Sequence, residues 1–160
     1  MGIFDFFFGN KSVAVQEYIF SINNGTCSVR WAIERFAKLC CAIASAIPKE
    51  NRADIVYKVQ ASRKTRTVTM SIDVGPKRAV NMRKILPGYR YYEMCGWEGN
   101  ENYLEGTFQY MYFPDDWDGR RIDECIIETL CANGNGIKIV NHFEDSIVDS
   151  GLLGVIFHIE

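Results

Sequence analysis

The sequence lacks most of the short motifs that identify an enzyme, a zinc protein or a membrane protein. It has no Gly-x-Ser-x-Gly motif, no Cys-x-x-Cys pair and only two histidines, His142 and His158. No apolar run approaches the roughly 20 residues that span a bilayer. These absences argue against a serine hydrolase, a zinc ribbon and a transmembrane helix. With no Pro-rich or low-complexity linker, we expect a single domain over residues 1–160.

The cysteines do not suggest a disulfide framework. Two of them are adjacent and project to different sides of a predicted helix, and the residues around the others are apolar. We therefore expect reduced thiols, a cytoplasmic protein, and neither a metal site nor a cofactor. The six positions are Cys27, Cys40, Cys41, Cys95, Cys125 and Cys131.

Residues 1–12 are a candidate apolar appendage rich in phenylalanine. The segment lacks the basic region of a signal peptide, and Phe6 stands where a myristoylation motif requires Ser or Thr. We favour a turn of helix packed on the core. The alternative is an exposed group of Phe side chains that contacts a membrane or a partner.

Three segments are predicted to be helical. The first, capped by Thr26 or Ser28, runs to Ile47 with apolar side chains at three- and four-residue steps and stops at Pro48. A shorter helix is expected over 76–86, and a third over 119–132. The third has an aspartate as its expected N-cap, with Asp115, Asp116 and Asp118 as the candidates.

Strands are predicted from period-two alternation of apolar and polar residues. Residues 13–22 fit a strand, although a helix over 13–20 fits nearly as well. The chain then predicts an α+β fold: a mostly antiparallel sheet of about six to seven strands with three helices, mainly on one face. The other strand segments are 54–61, 67–74, 89–95, 103–113, 136–141 and 152–159.

Gly134-Asn-Gly136 superficially suggests a phosphate-binding loop. Such loops follow a strand and open a helix, whereas here the glycines follow a helix and precede a strand. We interpret them as a helix end and a tight turn.

Charge is sorted along the chain. Residues 51–90 contain ten Lys or Arg against two acids, and residues 91–160 contain fourteen acids against three Lys or Arg, within a net charge of −2. Such asymmetry concerns partner choice rather than fold.

The acidic half leads us to expect a non-enzymatic protein that binds and neutralises a basic protein, as an inhibitor or immunity protein does. Acidic groups interleaved with aromatic rings over residues 93–128 suit a basic surface. Whether the chain self-associates is left open. The expected contact residues are Trp97, Glu98, Glu101, Tyr103, Asp115, Asp116 and Trp117.

Two alternatives remain. The basic segment 58–90 could bind nucleic acid through phosphate contacts and stacking tyrosines. A metal-dependent hydrolase could use the carboxylates of 115–118. The nucleic-acid candidates are Lys58, Arg63, Lys64, Arg66, Lys77 and Arg78.

Overall fold

A six-stranded antiparallel sheet forms the centre of the structure, which the computed structural model describes over residues 28–75, 97–99, 102–110, 113–145 and 151–160. The strand order is β3-β4-β2-β1-β6-β5, with every neighbouring pair antiparallel. The predicted α+β class with a mostly antiparallel sheet is confirmed. The strands are β1 (Val56–Ser62), β2 (Thr67–Asp73), β3 (Trp97–Gly99), β4 (Tyr103–Gln109), β5 (Ile137–Glu144) and β6 (Leu152–Ile159).

Two α-helices pack on the same face of this sheet. Helix α1 (Val29–Ser45) and helix α2 (Ile122–Asn133) contact each other, and their apolar side chains join one core with the inward residues of the strands. Short 3₁₀ helices span Lys49–Asp54 and Asp115–Trp117. The segments predicted at 1–12, 13–22, 76–86 and 89–95 lie outside the described residues.

The alternation in β1 and β2 behaves as predicted. Tyr57, Val59 and Ala61 are buried on the helix-covered face, whereas Lys58 and Gln60 lie on the opposite face. Their cross-strand partners on β2 and β6 repeat this division, because directly paired residues of an antiparallel ladder share a face.

Strand β3 lies between the predicted strand segments 89–95 and 103–113, where no strand is expected from the sequence. Trp97 pairs with Gly106 of β4, and a Cβ on Gly106 would lie 2.8 Å from atoms of the indole ring. The missing side chain therefore makes room for Trp97 against β4. Because a large residue on β3 lies opposite a glycine on β4, Trp97 can pack against β4 and the segment can pair with the sheet.

Strand β5 is longer than the predicted segment 136–141. Its register shifts between Ile139 and Asn141, and Val140 is left 55% exposed. A bulge adds one residue and so reverses which side chains face the core. As a result His142 and Glu144 point to the helix-covered face, where they contact the first turn of α2.

The start of α2 also differs from the prediction. The helix begins at Ile122, and neither Asp115, Asp116 nor Asp118 is its N-cap residue. Glu144 of β5 accepts a hydrogen bond from the Ile122 N–H at 2.9 Å instead. A carboxylate at this position satisfies a free N–H and complements the helix dipole.

Within the described ranges, no helix has the length and apolar character to cross a membrane.

Candidate anion-binding site

A cavity of about 770 Å³ lies where the 3₁₀ helix Lys49–Asp54 meets the start of β5 and the end of β6. Three of its lining side chains are cationic: Lys49, Arg52 and Lys138. One is a carboxylate, Glu160, and His158 adds a titratable ring. Ala53 and Ile159 complete the described lining with apolar surface.

Local contacts hold the cationic groups around this cavity. Pro48 precedes the 3₁₀ helix, and the Arg52 Nε–H donates to the Ile47 carbonyl at 3.3 Å. On the other side, Lys138 and His158 are directly paired across β5 and β6, so both lie on one face of the sheet. Side chains from three elements therefore converge on one space.

The ion pair between two lining residues, Lys138 and Glu160, is exposed to solvent. The Lys138 Nζ lies 3.4 Å from the Glu160 carboxylate, and both side chains are about 70% exposed. An exposed pair of this kind contributes little stability, typically about 0 to 1 kcal/mol. An incoming anion can therefore replace Glu160 at Lys138 without a large cost.

The cavity has the size and charge of an anion site. Small-molecule sites usually enclose about 300 to 1,000 Å³. Guanidinium and ammonium groups are the side chains that hold phosphate and carboxylate oxygens. Three cations against one carboxylate favour a ligand with at least one negative group.

Sequence reasoning missed this site. Lys49 and Arg52 sit in a short polar stretch, and Lys138 and His158 lie on different strands. Alternation in β5 and β6 indicates only that the latter two face away from the core. The contact between the 3₁₀ helix and the ends of β5 and β6 depends on the tertiary fold. No local sequence pattern predicts it.

Two of the seven predicted partner-binding residues are core residues, which corrects the prediction that they form a contact surface. Trp97 is fully buried, with its ring centroid 5.5 Å from that of Phe108. Trp117 is 3% exposed and lies 6.3 Å from Phe113, again between ring centroids. Their large apolar area is used inside the fold and is not available to a partner.

The remaining predicted contact residues divide between the two faces of the sheet. Glu98 is exposed on the face without α-helices, opposite Glu105, which accepts a hydrogen bond from Tyr103. Asp116 is also exposed, but it pairs with Arg30 of α1 on the helix-covered side. Glu101 and the Asp115 side chain lie outside what the structure describes.

The residues of the nucleic-acid hypothesis are only partly described. Arg63, Lys64 and Arg66 lie in the turn between β1 and β2, and Lys58 lies on the face without α-helices. Glu144 already forms an ion pair with Arg63. Since Lys77 and Arg78 lie outside the described ranges, nucleic-acid binding through this segment stays a prediction.

The 115–118 hypothesis gains no metal site in the described residues. Across these ranges no three His, Cys, Asp or Glu side chains come close enough together to hold an ion. The Asp116 carboxylate is occupied by the Arg30 guanidinium.

A second polar cluster joins α2 to β5 and surrounds Asp123. This carboxylate is fully buried and accepts two hydrogen bonds from Arg121, at 3.1 and 2.9 Å. The His142 Nδ1 lies 2.7 Å from its second oxygen. In the described part of the chain no hydroxyl or thiol bonds to His142. We therefore interpret the His142–Asp123 pair as a contact that holds α2 to β5, rather than as a dyad that activates a nucleophile.

The hydrogen bonds of this cluster determine the protonation of Asp123. Burial acts to raise the pKa of its carboxyl, but hydrogen bonds from Arg121, His142 and the Glu124 N–H outweigh burial. The net result is a pKa well below the ordinary value, so Asp123 stays ionised.

Comparisons of the chain with protein-family models, with characterised proteins and with solved structures find no match.

Proposed function

We propose that this protein binds a small ligand carrying a phosphate or carboxylate group in the cavity at the ends of β5 and β6. The observation that carries the proposal is the convergence of Lys49, Arg52 and Lys138 on one cavity of about 770 Å³. Lys49 and Arg52 come from the same 3₁₀ helix and Lys138 comes from β5, and the acidic side chain among the lining residues is that of Glu160.

The ligand is expected to be larger than an inorganic ion. The cavity volume is several times that of one anion, and the exposed Ala53 offers apolar contact beside the cations. Phosphate-bearing organic molecules combine these two features. Arg52 is suited to two parallel bonds with a phosphate, whereas Lys49 and Lys138 act as point charges.

The experiment is thermal unfolding with phosphate added at constant ionic strength, with chloride as the reference salt. A ligand that binds only the folded state raises the unfolding temperature with concentration. Lys49→Glu and Lys138→Glu should each reduce that rise. Lys64→Glu is the matched control, because Lys64 is an exposed lysine of the β1–β2 turn outside the cavity lining. An equal response in all four proteins would refute the proposal.

A second candidate function is the binding of a basic protein, and one observation favours it. Acidic side chains from two elements converge near Cys125: Asp116 from a 3₁₀ helix, and Glu124 and Glu128 from α2. Burial raises the pKa of the Cys125 thiol, and these carboxylates raise it further against the opposing charge of Arg120. The proposed contact surface is therefore this acidic patch, defined as Asp116, Glu124 and Glu128, without the two tryptophans.

The acidic patch can be tested by neutralisation. A triple variant with Asn and Gln at its three positions should lose a basic partner captured from lysate and then reconstituted with purified protein. Glu50→Gln is a control at an exposed acid of the 3₁₀ helix Lys49–Asp54. Unchanged affinity of the reconstituted pair would rule out this surface.

We include a cytoplasmic location in the proposal. Its support is that the four described cysteines, Cys40, Cys41, Cys125 and Cys131, are all free thiols.

A further inference from the structure

The hydrogen bond of His158 determines which of its ring nitrogens can respond to a ligand. The Nδ1 atom lies 2.6 Å from the backbone carbonyl oxygen of Ile55. A carbonyl oxygen can only accept, so the hydrogen of this bond belongs to Nδ1. In the neutral ring Nε2 is then unprotonated, and it is the nitrogen left for a ligand in the cavity that His158 lines.

Charged groups from two neighbouring elements lie around this ring. Lys138 lies directly across from it on β5, and Lys49 and Arg52 face the same cavity from the 3₁₀ helix. Around the ring there are therefore three cations and one acidic side chain, Glu160. Just before β1 the neighbouring group is the Ile55 carbonyl, which carries a dipole but no charge, and Lys58 of β1 lies on the same face of the sheet, paired with Ile156.

A bound anion favours a second proton on the imidazole. A neutral Nε2 presents a lone pair to the ligand oxygens and repels them, whereas a protonated Nε2 donates a charge-assisted hydrogen bond. Ligand and proton therefore favour each other. Thermodynamic linkage requires that each increases the affinity for the other by the same factor.

We propose that the cavity binds a dianionic phosphomonoester, and that binding is coupled to uptake of a proton from solvent at His158 Nε2. This inference rests on the proposed function of anion binding. No covalent bond changes: the imidazole becomes an imidazolium, and Lys138 exchanges Glu160 for a ligand oxygen. Affinity accordingly rises as the pH falls and the imidazole takes up its second proton.

The expected size of the effect follows from one added hydrogen bond between charged groups. Such a bond adds enough to strengthen binding about tenfold or more between about pH 8 and about pH 5.5. Phosphomonoesters themselves gain a proton near about pH 6 and become monoanions. This lowers their own affinity at low pH and opposes the rise expected from His158. Sulfate keeps its two charges across this interval and separates the two effects.

The test is calorimetric titration with sulfate, inorganic phosphate and phenyl phosphate at several pH values and constant ionic strength. Each titration is repeated in two buffers of different ionisation enthalpy, which counts the protons taken up. Because the sequence holds only two histidines, His158→Gln and His142→Gln assign the proton between them. Glutamine at 158 retains an N–H that can donate to the Ile55 carbonyl.

Support requires tighter sulfate binding at low pH, with uptake of up to about one proton that vanishes in His158→Gln and persists in His142→Gln. Phenyl phosphate should bind more tightly than inorganic phosphate, and equal affinity would reject the phosphomonoester in favour of the free ion. Binding without proton uptake, or with uptake retained in His158→Gln, would overturn the coupling while leaving anion binding intact. Failure of all three anions to bind wild-type protein would overturn the proposed function itself.

Discussion

Replacing Asp123 by asparagine tests how the fold is held together around α2. The substitution preserves shape but removes the charge of a fully buried carboxylate that accepts bonds from Arg121 and His142. Hydrogen bonds to a charged group contribute about 1.5 to 3 kcal/mol each. The amide NH₂ would also set a donor against the donors of Arg121. Since Arg121 and His142 are partly exposed and can regain water, we expect a net loss of about 2 to 4 kcal/mol in the free energy of unfolding.

Urea unfolding at neutral pH measures this loss, with tryptophan fluorescence as the signal because Trp97 and Trp117 are buried. Asp118→Asn is the matched control: this aspartate is exposed, and its change should stay within about 0.5 kcal/mol. A loss for Asp123→Asn as small as that of the control would refute the role assigned to the cluster.

The pH dependence of the same comparison has a definite sign. The pKa of Asp123 in the folded state lies below its ordinary value, because the hydrogen bonds to its carboxylate outweigh burial. A group of this kind stabilises the fold above its unfolded pKa, about 3.9, and loses that contribution as the pH falls toward the folded value. The gap between wild type and Asp123→Asn should therefore be full at neutral pH and shrink below about pH 4. A constant gap would contradict this account.

Three further predictions concern packing, the cavity and the thiols. Gly106→Ala should lower the free energy of unfolding by about 1 to 3 kcal/mol in a urea titration, because the added Cβ would lie 2.8 Å from ring atoms of Trp97; unchanged stability would show that the indole can move away. Glu160→Gln should tighten sulfate binding about two- to fivefold by calorimetry, since it releases Lys138 from an exposed ion pair. Weaker binding would show that Glu160 does not compete with the anion for Lys138. In alkylation followed by mass spectrometry, the exposed Cys131 should react before the buried Cys40, whose thiol pKa is raised by burial. The reverse order would contradict the burial of Cys40 and the exposure of Cys131.

Local periodicity predicted the elements that depend on one segment alone. The apolar stripe of 28–47 became α1, and Ser28 caps it by accepting a hydrogen bond from the Trp31 N–H at 3.1 Å. The alternation of β1 and β2 likewise placed their side chains on the correct faces. In these cases one buried face requires only that apolar residues repeat with a period of 3.6 residues for a helix or 2 for a strand, and this period can be recognised in the sequence.

Features that depend on two distant segments were not predictable in this way. Trp97 enters the sheet because Gly106 faces it, and a tryptophan followed by glycines and acids otherwise resembles an exposed loop. The bulge in β5 reverses the side chains after Val140, so that Glu144 rather than a local aspartate meets the start of α2. One extra residue in a strand changes every later assignment of face.

The separation of charge along the chain has a similar limit, because electrostatic energy depends on distance in space. Arg63 of the basic segment pairs with Glu144 of the acidic half, so part of the sequence asymmetry is cancelled inside the fold. The cavity gathers Lys49 and Arg52 from one 3₁₀ helix and Lys138 from β5. Exposed charges more than about 8 Å apart are largely screened at physiological salt. A ligand in the cavity therefore senses these cations and Glu160 rather than the net charge of −2, and an acidic protein can hold an anion.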